Sequence, residues 1–195
     1  LQAFFSVRSE RMLMEQIDYN LLFRWFVGLP MDAMLATLRQ FAGLPHRCQW
    51  VGERAGVNYY DDSKATNPHA ADSALTGAGT VVWVAGGQLK GASVDAVVQA
   101  HAEQFRAVAL LGADRELIRE SVRRAAPDLP VFVTDSTDPE EAMDAVVAWA
   151  ATQAQPGDTV LLAPAAASLD MFSGMSARGD AFAAAAMRHW CPDNK

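Results

Sequence analysis

The stretch Tyr59–Ala70, YYDDSKATNPHA, packs two carboxylates (Asp61, Asp62), an ammonium (Lys64) and a hydroxyl (Thr66) into positions 61–66. A turn needs only a glycine or an asparagine, so that density of chemical groups asks for another explanation. Two further stretches carry similar chemistry. AGGQLKG (85–91) has glycines that let a ligand come close and holds Lys90 near its tip, and APAAASLDMF (163–172) carries Ser168 and Asp170. Brought to one rim, the cations Lys64 and Lys90 and the hydroxyls Thr66 and Ser168 suit a small dicarboxylate or a phosphorylated molecule. Each group also has a plainer reading. Asp62 would cap a helix beginning near Asn67, Lys64 would pair with Asp61 in solvent, and Gly86–Gly87 would be a simple turn. GGQLKG is not a phosphate-binding P-loop, and G-x-x-x-x-G-K-[ST] occurs nowhere in the sequence.

The elements that must position these stretches show in the hydropathy pattern. CQWVGERAGVNYYDD (48–62) reads as a hairpin of two strands around Gly56. Apolar, β-branched runs follow at 80–87, 107–112, 131–135 and 159–164. Helical patterns lie between them at about 68–78, 93–104, 114–125 and 138–153, with a last one at about 178–190. Near-continuous apolar strands separated by helices predict a mostly parallel sheet covered on both faces. From about residue 42 onward the expected fold is therefore α/β, three-layered and Rossmann-like. In such sheets ligands collect at the carboxyl ends of strands, where all three unusual stretches fall.

The first 32 residues differ from the rest. They are rich in aromatics (Phe4, Phe5, Tyr19, Phe23, Trp25, Phe26) and hold a single alanine, whereas alanine is abundant from Ala33 onward. GLPMD (28–32) breaks a helix, so the predicted division is 1–32 and 33–195. Between Ser9 and Leu29 the pattern reads as one helix whose apolar residues cover more than one stripe. It is expected to pack on its own domain, to form an oligomer contact, or to lack its true partners. AMLATLRQF (33–41) reads as a short amphipathic helix.

Composition sets limits on function. A formal charge of −7 and the lack of a basic recognition helix argue against nucleic acid as a partner. No stretch is apolar for long enough to span a bilayer, because LLFRWFVGL (21–29) is short and carries Arg24. No signal peptide is legible, and Cys48 and Cys191 match no metal or redox spacing. The expected setting is cytoplasmic, with no metal site of the chain's own. The sequence opens on Leu1, as a fragment or a trimmed product would.

Taken as a set, GLPHRCQWV (43–51), YYDDSKATNPHA (59–70), VAGGQLKGAS (84–93) and LLAPAAASLDMFSGMSARGDAF (161–182) resemble the C-terminal domain of Mur ligases. The resemblance is to the MurD-type branch, which adds D-glutamate to UDP-N-acetylmuramoyl-L-alanine in peptidoglycan precursor synthesis. It covers about residues 33–190. Residues 4–32 resemble instead the N-terminal region of insertion-sequence transposases, without the three-carboxylate site of those enzymes.

The Mur resemblance implies a mechanism: ATP, with magnesium, phosphorylates the substrate carboxylate, and the amine of the incoming amino acid attacks the acyl phosphate. By motif position, Arg47 and Asp62 would contact the nucleotide. Lys64, Thr66, Lys90, Ser168 and Leu169 would hold D-glutamate, with Lys64 the catalytic candidate. Departures from the family pattern fall at Asp61 (usually asparagine), at Ala163 and Ala166 in the loop after the last strand, and at Met175, where an aromatic is usual. The uridine-nucleotide and P-loop domains of the family are not found in these residues, so the isolated chain is expected to be inactive unless missing ligase domains act in trans. The alternatives are a non-catalytic binding or assembly module and a chimeric, transposase-derived remnant.

Overall fold

The computed structural model describes Arg39 and residues 43–189. The expected helix at 9–29, its oligomer contact and Cys191 lie outside these residues, and of the expected helix at 33–41 only Arg39 is described, in helical conformation. Contacts divide the chain between Gly43 and Leu44, and every element named below belongs to the second unit.

Six strands form one sheet in the order β1-β2-β6-β3-β4-β5. They are β1 Gln49–Arg54, β2 Val57–Asp61, β3 Val81–Gly86, β4 Phe105–Leu111, β5 Val131–Val133 and β6 Thr159–Leu162. Only the β1–β2 pair is antiparallel. The hairpin closes through Ala55 (φ 49°) and Gly56 (φ 78°), the two positive φ values that a tight two-residue turn requires. The remaining pairs are parallel, with Tyr59 opposite Val160, Trp83 opposite Leu161 and Ala109 opposite Phe132. The α/β expectation and its sheet are therefore present in the structure.

Five helices follow the strands among the described residues: α1 Pro68–Thr76, α2 Asp95–His101, α3 Arg115–Ala125, α4 Pro139–Gln153 and α5 Met175–Arg188. Their starts follow from local chemistry. Asn67 caps α1 by accepting the Ala70 amide at 3.0 Å, with Pro68 as its first residue. Asp138 caps α4 by accepting the amides of Glu140 and Glu141, with Pro139 next. A cap of this kind contributes about 1 kcal/mol. Helix α5 begins about three residues earlier than its apolar pattern suggested, after an extended Gly174. This places Arg178 inside the first turn of the helix and not at its start.

Side chains alternate across each strand, so the sheet has two cores. Trp83, Leu110 and Leu161 face one side and pack with Leu75, Val98 and Ile118 from α1, α2 and α3. Val82, Val84 and Leu162 face the other and pack with Met143, Val147 and Phe182 from α4 and α5. All six residues of β3 are buried, as a strand covered on both faces must be. Trp83 stacks on Phe105 with ring centroids 5.2 Å apart, and its indole N–H donates to the Ala163 carbonyl at 2.7 Å. The bulkiest ring of the core is thereby tied to the loop that leaves β6.

Candidate active site

Strands β2, β6 and β3 are neighbours and parallel, so their carboxyl ends open on one edge. Three loops leave that edge: 62–67 after β2, 87–91 after β3 and 163–174 after β6. Ladder bonds carry on past the strand ends. Asp62 N–H donates to Leu162 O at 2.8 Å, Ala163 N–H to Val84 O at 3.2 Å, and Gly86 N–H to Pro164 O at 2.9 Å.

The loops after β3 and β6 are bonded directly. Gln88 and Ala167 exchange both main-chain hydrogen bonds, at 2.8 and 2.9 Å. This close approach requires Gly87 (φ 129°), while Gly86 (φ 127°) lies as closely against β4. A Cβ at Gly86 would run into the Leu111 carbonyl oxygen, and one at Gly87 into that of Ala167. Asp114 steadies the far side of the loop by accepting the Leu89 amide at 2.7 Å. Lys90 follows, exposed and in the left-handed region at φ 53°. In the partner loop Ser168 is buried and Leu169 is 66% exposed. Asp170 accepts the Ala113 amide at 2.7 Å through one oxygen, while its other oxygen is buried without a partner.

The loop after β2 is organised from below. Asp61, 1% exposed, accepts the Ser63 amide at 2.8 Å through one oxygen and meets His46 Nδ1 at 2.7 Å through the other. Lys64 N–H donates to His46 O at 3.0 Å, and Cys48 N–H donates to Asp62 Oδ1 at 3.2 Å. The segment carrying Arg47 is thus laid against the loop carrying Asp62 and Lys64. Burial pushes the Asp62 carboxyl above the usual carboxylate range and the adjacent Asp61 adds to this, against the pull of the Cys48 hydrogen bonds and the Arg47 charge. Lys64 is exposed and Thr66 half-buried.

Arg178 joins the loops after β2 and β6 to the end of β3. Only 1% exposed, it donates through Nε to Ser63 Oγ (3.0 Å), through Nη2 to Ser63 O (3.0 Å), and through Nη1 to Gly86 O (3.2 Å) and Ala166 O (3.0 Å). Burial draws its pKa down to about 10, with the charges of Asp170 and Asp61 opposing the fall. It remains a cation at neutral pH.

The sequence candidates therefore stand as follows. Lys90, Ser168 and Leu169 lie on two directly bonded loops, and Lys64 and Thr66 lie on a third loop linked to them through Arg178. Arg47 and Asp62 form a separate neighbourhood built on the Cys48 amide. Two of the plainer readings are corrected. Asn67, not Asp62, caps α1, and Asp61 pairs with His46 and not with Lys64, because it points into the fold. Ala163 and Ala166 are fully buried. The Met175 carbonyl accepts the Ser63 hydroxyl at 2.7 Å. Sequence reasoning missed Arg178, His46 and Asp114. The available signal for Arg178 was a charge in the buried stripe of an alanine-rich helix, one turn before Phe182.

A cleft of about 640 Å³ opens elsewhere, between the start of α4 and α5, lined by Pro139, Met171, Phe172, Ala181 and Arg188 among others. None of the candidate residues lines it.

Comparison with known proteins identifies the family. Residues 46–166 match the family model for the Mur ligase glutamate ligase domain, and residues 1–41 match that of a transposase domain, DUF772. The UDP-N-acetylmuramoylalanine–D-glutamate ligase of Corynebacterium diphtheriae is 56% identical over 163 residues, covering 84% of this chain and 34% of the relative. The ligase of the same name from Streptomyces avermitilis is 52% identical over 158 residues, covering 81% of this chain and 34% of the relative. The chain thus spans about a third of the length of the curated relatives it matches. Among solved structures, the UDP-N-acetylmuramate-alanine ligase MurC of Thermotoga maritima matches with a TM-score of 0.56 at 13% identity, over 91% of this chain and 36% of that one. At that identity the likeness concerns the fold alone. With three loops meeting at one sheet edge and a family model matched from residue 46 to residue 166, the chain belongs to the Mur ligase family through its glutamate ligase domain.

Proposed function

We propose that this chain supplies the amino-acid-binding part of an ATP-dependent ligase that joins D-glutamate to UDP-N-acetylmuramoyl-L-alanine in the cytoplasm. The observation that carries this reading is the meeting of the Lys64–Thr66, Lys90 and Ser168–Leu169 loops at one edge. D-Glutamate is a compact dicarboxylate. Lys64 and Lys90 would face its two carboxylates, Thr66 and Ser168 would donate hydroxyl hydrogen bonds, and exposed Leu169 would cover its methylenes. Lys64 is assigned the catalytic position because its motif resembles that of the family and it lies between Asp62 and Thr66 in the sequence. Loops fixed on a rigid sheet hold the attacking amine in place, and closure over the acyl phosphate keeps water out.

ATP fits these residues only in part. Arg47 is exposed and Asp62 is held by Cys48 beside it, a pair suited to the outer portion of a nucleotide. Among the described residues no group of His, Cys, Asp or Glu side chains is placed to hold a metal. Magnesium is therefore assigned to the P-loop domain. Transfer of the γ-phosphoryl group needs backbone donors and a lysine around the phosphates, and the 195 residues contain no P-loop motif. The chain alone is proposed to be inactive and to need a P-loop domain in trans, with residues 1–32 a transposase-derived segment joined ahead of the ligase domain at 33–195.

Calorimetry with D-glutamate, followed by phosphate release from ATP, magnesium, D-glutamate and UDP-N-acetylmuramoyl-L-alanine, tests both halves. Weak D-glutamate binding that Lys64→Ala and Lys90→Ala abolish, with no phosphate release, is the expected result. Absence of binding in the wild-type chain refutes the assignment of the glutamate site. Phosphate release above the Lys64→Ala control refutes the proposed inactivity.

A further inference from the structure

We infer that Arg178 is a positioning residue whose buried guanidinium holds the loops carrying Lys64, Lys90 and Ser168 in a single arrangement before any ligand arrives. All three guanidinium nitrogens are engaged, and their acceptors lie in the loops after β2 and β6 and at Gly86, the last residue of β3, from which the loop carrying Lys90 departs. No acceptor is a carboxylate. Three are main-chain oxygens and one is the Ser63 hydroxyl, so the residue serves loop geometry and not a charge pair.

A role confined to stability accounts poorly for this choice. A buried charge loses its hydration, and well-packed apolar residues often replace such groups without loss. The surroundings, by contrast, are arranged to admit the guanidinium. Gly87 leaves space beside Nη1, which would lie 3.2 Å from a Cβ at that position. Gly179, the next residue along α5, lets His46 and Asp61 pack directly against the helix. A planar fork reaches several oxygens at fixed angles, which the single ammonium of a lysine cannot do. Loops held in this way need little ordering when a dianion binds, and that ordering is a principal cost of binding.

The ligand half of the inference rests on the D-glutamate reading, and the loop half does not. Amide spectra and hydrogen exchange of the full ¹⁵N-labelled chain separate the two. In ligand-free Arg178→Gln, amides of residues 63–66, 86–90 and 165–168 should shift together and exchange at least tenfold faster. Amides of Val108–Leu110 should change only as far as the unfolding midpoint does. Arg178→Lys should restore that midpoint without returning all three loops to wild-type positions. In a D-glutamate titration, Arg178→Gln should bind at least tenfold more weakly than wild type.

Unchanged loops in ligand-free Arg178→Gln, or loosening spread evenly over the sheet, would overturn the inference. Should the wild-type chain ignore D-glutamate while the loops still loosen together in Arg178→Gln, the glutamate reading fails and the positioning role stands. If Arg178→Gln does not fold, Arg178→Lys and Ser63→Ala decide. Ser63→Ala removes one anchor and should loosen loop 62–67 alone, and a uniform response to both variants overturns the inference.

Discussion

His46 Nδ1 and Asp61 Oδ2 lie 2.7 Å apart, joining the segment ahead of β1 to the end of β2. The carboxylate can only accept, so Nδ1 carries the proton of this bond. Asp61 is 1% exposed, and among the described residues the other partner of its side chain is the Ser63 amide. His46→Ala should therefore leave a buried carboxylate short of a partner and cost about 1–3 kcal/mol. Urea unfolding followed by tryptophan fluorescence gives the value. A loss no larger than that of an exposed surface substitution would show that water replaces the imidazole at no cost.

Asp62 responds in the opposite sense. Its native carboxyl is raised, chiefly by burial, so the folded state binds the proton more tightly than the unfolded one. Stability linked to this group is fully present below the ordinary carboxylate value and is lost as pH rises through the raised native value. Asp62→Asn keeps an acceptor for the Cys48 amide and removes the buried charge. It should raise the unfolding midpoint at pH 7, and the gain should vanish near pH 3. Equal midpoints for the two chains at pH 7 would mean that the Arg47 charge and the Cys48 bond already offset burial.

Asp158 behaves as a conventional buried ion. Burial alone would raise its carboxyl, but hydrogen bonds from Arg106 and the Gln155 amide, together with the Arg106 charge, hold it below the usual range. The stability it supplies is present above the ordinary carboxylate value and is lost as pH falls through the depressed native value. Asp158→Asn should cost about 1–3 kcal/mol at pH 7. The difference from wild type should shrink in acid, as midpoints measured from pH 7 to pH 2 will show.

Gly86 tolerates no side chain. It sits at φ 127°, and a Cβ would meet the Leu111 carbonyl oxygen of the neighbouring strand. Strain and overpacking add here, so Gly86→Ala should cost about 3 kcal/mol or more. Gly77, whose added Cβ meets nothing within 4 Å, is the control. Comparable midpoints for Gly86→Ala and Gly77→Ala would show that β3 and β4 can separate at this point without penalty.

Much of this architecture was legible in the residues. The strands were visible because VVWVAG and its counterparts are apolar without a break, and the hairpin because AG stands between two alternating runs. The site loops followed, since parallel strands deliver their carboxyl ends to one edge. Arg178 could not be placed because three of its four acceptors are main-chain oxygens, at Ser63, Gly86 and Ala166. Such acceptors leave no mark in residue identity. The pairing of Asp61 was hidden for a different reason. Its partner lies 15 residues earlier, and only the folded hairpin and the packing of α5 decide that His46, and not the nearby Lys64, reaches it.

Strand β6 lies between β2 and β3 although it is the last strand made among the described residues. Tyr59 and Trp83 face opposite sides of the same four-residue segment, Thr159–Leu162. A chain that stops short of Thr159 therefore has two half-sheets with no means of joining. Zipping β6 into the gap unites positions about 100 residues apart, the kind of pairing that slows folding. Until it happens, two apolar strand edges stay open to other chains. Premature termination should thus yield aggregating protein and not a smaller folded domain, and a ribosome must travel well past residue 162 before the edge that carries the three loops exists at all.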